Sequence, residues 1–322
     1  MRWGRARTGE AREGLDPHSS ELETEQPVRS IEGRGPWLLA WERLRRDRVA
    51  IGSFVVIVLI FLAAIFAPVF TLLTGHGVDT QYRTTGLTPD GLPMPPSAEF
   101  WLGTDDLGRD ILVRIAYGAR ISLLVGVVAT LITVAIGILV GLAAGYFGGI
   151  VDTVLARLVD VVLSFPFLLF AIALVSITGP SLAVAIIAIS AFSWAAVARI
   201  VRGQVLSIRE REFVEAARSL GASDWRIMFV DVLPNVMAPV IVYTTLLIPT
   251  VIVIEATLSF LGLGVPPPTP TWGGMLNDAI SYYQVAWWFI VFPGAALVIT
   301  TLAFNLLGDG VRDAFDPGSD RR

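Results

Sequence analysis

No cysteine occurs in the 322 residues, which excludes disulfides, zinc thiolates and cysteine-ligated iron–sulfur clusters. Lysine is missing too, so all 24 basic side chains are arginine. A Walker A loop needs its lysine, and so does Schiff-base chemistry, so the chain carries neither a standard ATP site nor an imine-forming one. Histidine is confined to His18 and His76. These lie in unrelated polar segments and offer neither a histidine metal centre nor the base of a Ser/His/Asp arrangement; no metal site is expected. Charge is scarce: 16% of residues are charged, against about 25% in a soluble domain.

What fills the chain is apolar. Hydrophobic residues make up 54%, and the mean hydropathy is +0.68. Together they point to an all-α integral membrane protein. A spanning helix needs about 20 apolar residues. Six stretches qualify: 49–70, 121–146, 155–177, 182–201, 236–263 and 286–307. Residues 1–35 are charged and poor in apolar side chains and read as a disordered tail, with no apolar run near Met1 of the signal-peptide kind. The expected organisation is a tail over 1–35 and an interfacial helix with the first span over 36–73. A polar loop over 74–118 follows, then a core of five spans over 119–308, and a short charged tail over 309–322. Arginine counts orient the bundle. Arg43, Arg45, Arg46 and Arg48, then Arg157, Arg199, Arg202, Arg209, Arg211, Arg218 and Arg226 fall on one side. Arg83, Arg109, Arg114 and Arg120 fall on the other. The excess places both termini in the cytoplasm. Arg114 and Arg120 run against the rule, beside an amphipathic run that is expected to lie along the outer surface.

Some features inside this frame have both a structural and a functional reading. Gly137, Gly141 and Gly145 space small residues along the second span, which suits close helix packing within the subunit or between subunits. Glu255 falls in the fifth span, where a charge costs about 2.5–3.5 kcal/mol; it either lines a translocation path or makes a structural hydrogen bond to a neighbouring helix. Asp160 with Arg157 reads as an interfacial pair. Pro166, Pro249 and Pro293 each remove a backbone donor and can kink their spans. In the outer loop, WLGTDDLGRD over 101–110 concentrates three aspartates and an arginine. Its ligand spacing does not match a calcium loop, so a turn in which Asp105 or Asp106 caps a helix starting near Leu107 is expected.

The longest charged run between two apolar segments is REREFVEAARSLGASDWRIMFVDVLP, residues 209–234. Phe213, Ala216, Ala217 and Leu220 fall at i, i+3, i+4 and i+7, one helix face. Gly221 suits the residue after a helix end, Ser223 or Asp224 can cap a second helix, and Trp225, Met228, Phe229 and Val232 repeat the spacing. The expectation is two short amphipathic helices turning at Gly221, followed by Pro234 at the mouth of a span. On pattern alone the pair suits docking to a partner or lying on lipid. A DNA-reading helix-turn-helix is disfavoured by the membrane at both ends and the interspersed acids.

Glu215-Ala216-Ala217, three residues, Gly221, nine residues, then Asp231-Val232-Leu233-Pro234 resembles the EAA loop of ATP-binding-cassette importer permeases, whose pattern ends I-x-L-P; Asp231 is the one departure. The extra N-terminal span, WLGTDDLGRDILVRIAYGARISL and EATLSFLGLGVPPPTPTWGGML narrow the resemblance to the C-type permease subunit of dipeptide, oligopeptide and nickel importers, over about residues 37–315. Such a resemblance implies the type I importer permease (MetI-like) fold, with six transmembrane helices and cytoplasmic coupling helices. It implies a B-type sister permease, two ATPase subunits and an extracytoplasmic substrate-binding protein, in a bacterial inner membrane, with a peptide substrate or, alternatively, a nickel chelate. ATP and magnesium would bind the partner subunits; this chain binds no cofactor and is not itself an enzyme. The coupling residues would be Glu215, Ala216, Ala217, Arg218, Gly221, Asp224, Leu233 and Pro234. Asp105, Asp106, Arg109 and Asp110 would be candidates for contact with the extracytoplasmic partner, and Glu255 for the translocation path. A self-contained secondary transporter or channel is the different-class alternative, disfavoured by the docking pair and the few membrane charges.

Overall fold

The computed structural model describes residues 36–316; the tail expected over 1–35 lies outside the described residues. Among the described residues the regular elements are helices, with a long loop over 75–110. α1 (Pro36–Leu44) lays Trp37 edge-on to Phe315, with ring centroids 5.2 Å apart, and sends Arg43 to the Asp316 carbonyl at 2.8 Å. The first apolar stretch does not run unbroken to Phe70. α2 (Arg48–Ile65) starts at an Asp47 cap and stops at Phe66, and α3 (Ala67–Thr74) starts anew with Pro68 in its first turn. Proline tolerates a first turn, where its missing N–H is not needed. Arg120 seals the break by donating to the Ala64 and Ile65 carbonyls at 2.5 and 2.6 Å.

α4 (Ile111–Phe147) is 37 residues long. It begins ten residues before the expected span and absorbs residues 111–118 of the expected outer loop. DILVRIAYGAR is therefore not a surface strip; it forms the cap and first turns of this helix, and Ile111, Val113, Arg114 and Ala116 are buried. The third span is also not straight. α5 (Gly149–Ser164) and α6 (Phe167–Thr178) meet at 84°. Phe165 is extended, with ψ at 136°, as a residue before proline prefers, and Pro166 cannot donate back into α5. Among the described residues, five helices are long and apolar enough to cross a membrane, and a sixth span exists if the bent pair counts as one. α7 (Leu182–Ile208) follows, and α8 (Glu212–Ser219) with the single turn α9 (Asp224–Arg226) forms the charged loop. α10 (Leu233–Phe260), α11 (Trp272–Ala279) and α12 (Trp287–Phe315) complete the bundle. Pro249 and Pro293 lie inside unbroken helices, and α12 takes in residues 309–315 of the expected C-terminal tail.

The glycine stripe settles as packing within the subunit. α4 lies along α7. A Cβ at Gly137 would stand 2.5 Å from Val197, at Gly141 2.6 Å from the Ala198 carbonyl, and at Gly145 2.7 Å from Val205. No real Cβ tolerates such contacts, so glycine is what lets the two backbones close. Around this seam Leu142, Tyr146, Val201 and Val205 join Val214, Ile227 and Met228 in one buried cluster. The core therefore runs unbroken from the bundle into the charged loop.

Candidate functional site

The charged loop forms a compact hook. α8 opens at Arg211 without a side-chain cap. Glu212 and Glu215 in its first turn supply the negative charge that a helix N-terminus favours, and Arg218 lies at the opposite end. Gly221 has φ +79°, its N–H bonds the Arg218 carbonyl at 3.0 Å, and the Ala222 N–H reaches back to Ala217 at 3.1 Å. This is the Schellman arrangement, with Ala217 and Ala222 both packed on the core beneath. Ser223 caps the next turn by accepting from the Arg226 N–H at 3.4 Å.

The second helix is not a separate element. From α9 the chain passes through a π-helical segment, Ile227–Val232, directly into α10. Pro234 supplies the physical reason: it has no N–H for the carbonyl four residues back, and the wider π register absorbs that vacancy. The Leu233 N–H accordingly reaches Met228, five residues back, while Asn235 Nδ2 donates to the Asp231 carbonyl at 2.7 Å.

Each expected apolar face is split between core and surface, with Ala217, Met228 and Val232 packed inward and their bulkier companions left out. Val214, Ile227, Met228 and Val232 point inward, whereas Phe213 is 44% exposed, Leu220 88%, Trp225 69% and Phe229 37%. Trp225 and Phe229 stack with centroids 5.5 Å apart. Glu215, Ala216, Arg218, Gly221, Asp224 and Pro234 share the exposed side, and Leu233 is half-buried. Two polar bonds tie this hook to the end of α4: Arg209 to the Gly145 carbonyl at 2.9 Å and Tyr146 Oη to Asp224 Oδ1 at 2.7 Å. The tyrosine carries no sequence signal beyond its place at the end of a span.

At the far end of the bundle, WLGTDDLGRD is buried rather than offered to solvent. The cap of α4 is Asp110, not Asp105 or Asp106. Asp110 Oδ1 accepts from the Leu112 and Val113 N–H groups at 2.8 and 3.3 Å, and Oδ2 meets His76 Nδ1 at 2.7 Å. His76 in turn stacks on Phe100. Asp105 closes a turn by accepting from the Leu107 and Arg109 N–H groups at 2.9 and 2.8 Å. Its other oxygen takes Arg109 Nε at 2.5 Å, with Arg114 Nε at 3.3 Å. Asp105, Arg109, Asp110 and Arg114 are all buried. The arginines that break the charge rule are thus neutralised by aspartate or, like Arg120, spent on helix-end carbonyls.

Only Asp106 of the four candidate contact residues reaches the surface. It shares with Asp278, Arg109, Arg114 and Ser259 a chamber of about 300 Å³. Burial, then the charges of Asp105 and Asp278, hold the Asp106 carboxyl above its ordinary range against the pull of Arg109. Burial does the same to Asp278, opposed by Arg109 and Arg114. Glu255 sits one turn below, fully buried, accepting from Ser259 Oγ at 2.7 Å within α10 and standing beside Ser122 of the neighbouring α4. Its second oxygen has no hydrogen-bond partner among the described residues. Asp160 pairs with Arg199 at 2.9 Å more closely than with Arg157 at 4.0 Å, and Arg202 grips Asp152 with two nitrogens.

Residues 137–321 match the family described as binding-protein-dependent transport system inner membrane component, and residues 35–89 match the N-terminal TM domain of oligopeptide transport permease C. The oligopeptide transport system permease protein OppC of Escherichia coli is 44% identical, over 93% of this chain and 97% of its own length. The dipeptide transport system permease protein DppC of Alkalihalophilus pseudofirmus is 42% identical over 88% and 90%, and the glutathione transport system permease protein GsiD of Salmonella typhimurium is 46% identical over 90% and 93%. Among solved structures, the inward-facing MetNI methionine ABC transporter overlays with a TM-score of 0.53 at 20% identity, over 62% of this chain and 96% of its own, a likeness of fold. The chain belongs to the binding-protein-dependent transport system inner membrane components, the permease subunits of ATP-binding-cassette importers.

Proposed function

We propose that this permease forms one half of the pore of a peptide importer and that the hook over 209–234 is where a separate ATPase subunit docks. One observation carries the docking assignment: Phe213, Leu220, Trp225 and Phe229 stand exposed beside Glu215 and Arg218, on a loop whose inner face is already packed. An apolar patch held outward on a well-built loop marks an interaction surface. Arginine counts put this loop and both termini in the cytoplasm, where the ATPases would supply the hydrolysis that a chain without lysine cannot. A B-type sister permease would complete the pore. A binding protein would deliver cargo on the opposite side, where Asp106 and Asp278 offer carboxylates at the rim of the outer chamber. Dipeptide, oligopeptide and glutathione permeases among the relatives favour a peptide over a nickel chelate. The path past Glu255 belongs to the same proposal: the side chain lies one turn under that chamber, closed off in this conformation.

The test is reconstitution with sister permease, ATPases and binding protein in vesicles. ATP-dependent uptake of a labelled di- or oligopeptide is expected, and its loss in a membrane-inserted Glu215→Arg, Gly221→Pro double variant. Nickel uptake without peptide uptake would overturn the cargo, and wild-type transport by the double variant would overturn the docking loop.

A further inference from the structure

Besides its chain continuity with α7 and α10, the hook is held to the bundle in two ways. Its apolar underside sits on a cluster shared by α4, α7 and α10, which resists separation but not sliding. Among the described residues, its side-chain hydrogen bonds to other elements go to one place, the adjoining end of α4. Arg209, just before α8, donates to the Gly145 carbonyl, and Asp224, the first residue of α9 beyond the Gly221 turn, accepts from Tyr146 Oη at 2.7 Å. The same short stretch of α4 therefore grips the docking helix from both sides. Asp224 is also adjacent to Trp225, the most outward aromatic ring of the patch, 69% exposed.

α4 is suited to carry what it receives there. Its 37 residues form one uninterrupted helix, about 55 Å long at 1.5 Å per residue. Glycines lock it to α7 without intervening side chains, and its other end is capped by Asp110 inside the buried ion-pair cluster of the outer side. The phenol of Tyr146 is 6% exposed and its ring packs in the core. Only the hydroxyl leaves that core, and it meets the loop. Arg218 also stands beside this hydroxyl. A tyrosine kept for packing alone has no use for such a contact; a phenylalanine fills the same space.

Building on the docking assignment above, we propose that Tyr146 is a coupling residue: its bond to Asp224 transmits displacement of the docked hook to α4, so that losing the hydroxyl lets the ATPase turn over without moving the pore in step. Tyr146 touches neither ATP nor cargo; it is a positioning residue acting through Asp224.

The experiment uses the full complex in vesicles, with Tyr146→Phe and Tyr146→Ala beside wild type. ATPase subunits retained, binding-protein-stimulated hydrolysis and peptide uptake are measured on the same preparations. For Tyr146→Phe the ATPase content and hydrolysis rate are expected to hold, while peptide taken up per ATP falls about fivefold or more, the lower end of ordinary coupling between sites. A Tyr146→Phe complex with the wild-type ratio overturns the proposal, and it does so equally if Tyr146→Ala alone is impaired, since the ring and not the hydroxyl would then matter. Loss of ATPase subunits from the Tyr146→Phe complex also overturns it, because the bond would then serve docking and not transmission. A wild-type complex that neither hydrolyses ATP nor takes up peptide would sink the importer reading itself, and this inference with it.

Discussion

Two charged stretches, 101–114 at one end of the bundle and 209–226 on the loop between α7 and α10 at the other, look alike in sequence and fold in opposite ways. Both mix arginine with aspartate or glutamate among apolar residues. In the first stretch the charges go inside: Asp105, Arg109, Asp110 and Arg114 are buried and pair with one another, with backbone N–H groups and with His76. In the hook the charges stay out and the large apolar side chains stay out with them, while small Ala217 and Ala222 and the buried Val214 face the core. A buried ion pair is costly to break and adds rigidity of a kind an apolar patch does not. An exposed apolar patch costs little in the folded chain and is useful only against a partner. The cluster thus anchors one end of α4, and the hook at the other leaves large apolar side chains uncovered.

The largest effect expected from breaking this contrast is at Arg109. Arg109→Ala leaves the fully buried Asp105 with only the more distant Arg114, and losing one partner of a buried pair costs about 3–5 kcal/mol. Thermal unfolding of the purified permease complex, or its failure to accumulate in the membrane, reports this; a variant as stable as wild type would mean that the cluster holds nothing together. Gly221→Pro tests the opposite region. The observed φ of +79° is closed to proline at about −65°, and the bond to Arg218 is lost with the N–H. Peptide uptake should fall about tenfold or more, as for loss of a coupling of ordinary strength, with membrane content unchanged. If instead this variant is degraded and Arg109→Ala merely transports slowly, the roles of the two regions are exchanged.

Much of this was legible in the sequence and some was inverted. Hydropathy marked the spans because lipid leaves no alternative to apolar helices, and the turn at Gly221 was legible because few residues reach that backbone conformation. The spacing of Phe213 and Leu220 correctly marked a helix, yet a helical period says which residues share a face and not whether this chain or another covers it. Val214, off that face, and Ala217, at its edge, mark the side that this chain covers. The bend at Pro166 was ambiguous because proline is common in straight spans, as Pro249 and Pro293 show here. The pairs His76–Asp110 and Tyr146–Asp224 are separated by 34 and 78 positions; a single sequence holds no trace of such contacts.

Whether the two regions communicate depends on α4 moving with α7 as one body. Gly141→Ala probes that seam, because its Cβ would meet the Ala198 carbonyl at 2.6 Å and Val201 Cβ at 2.7 Å. Backbone on one side leaves little room to yield, so overpacking of about 1–3 kcal/mol is expected, seen as a lower Tm. If Tm is unchanged, the seam is looser than the glycines require, and the helix pair is a poor rod for passing motion across the membrane.

The smallest effect concerns Asp106, the member of the outer group that the cluster leaves incompletely served. Its carboxyl is held above the ordinary value of 3.8, chiefly by burial and then by Asp105 and Asp278. The folded state therefore keeps the proton to a higher pH than the unfolded chain does. Folding is penalised increasingly as pH rises from about 3.8 through the folded value, and the penalty is complete above it. Asp106→Asn removes the charge and with it the penalty. Its Tm should exceed the wild-type Tm by about 1–2 °C at pH 7, and the gap should close as the pH is lowered below the ordinary value of 3.8, where the carboxyl is neutral in the folded and the unfolded chain alike. An asparagine variant less stable at pH 7 would show that the 3.6 Å approach to Arg109 outweighs burial. Asp106 would then belong with the buried anchors and not with the surface left for a partner.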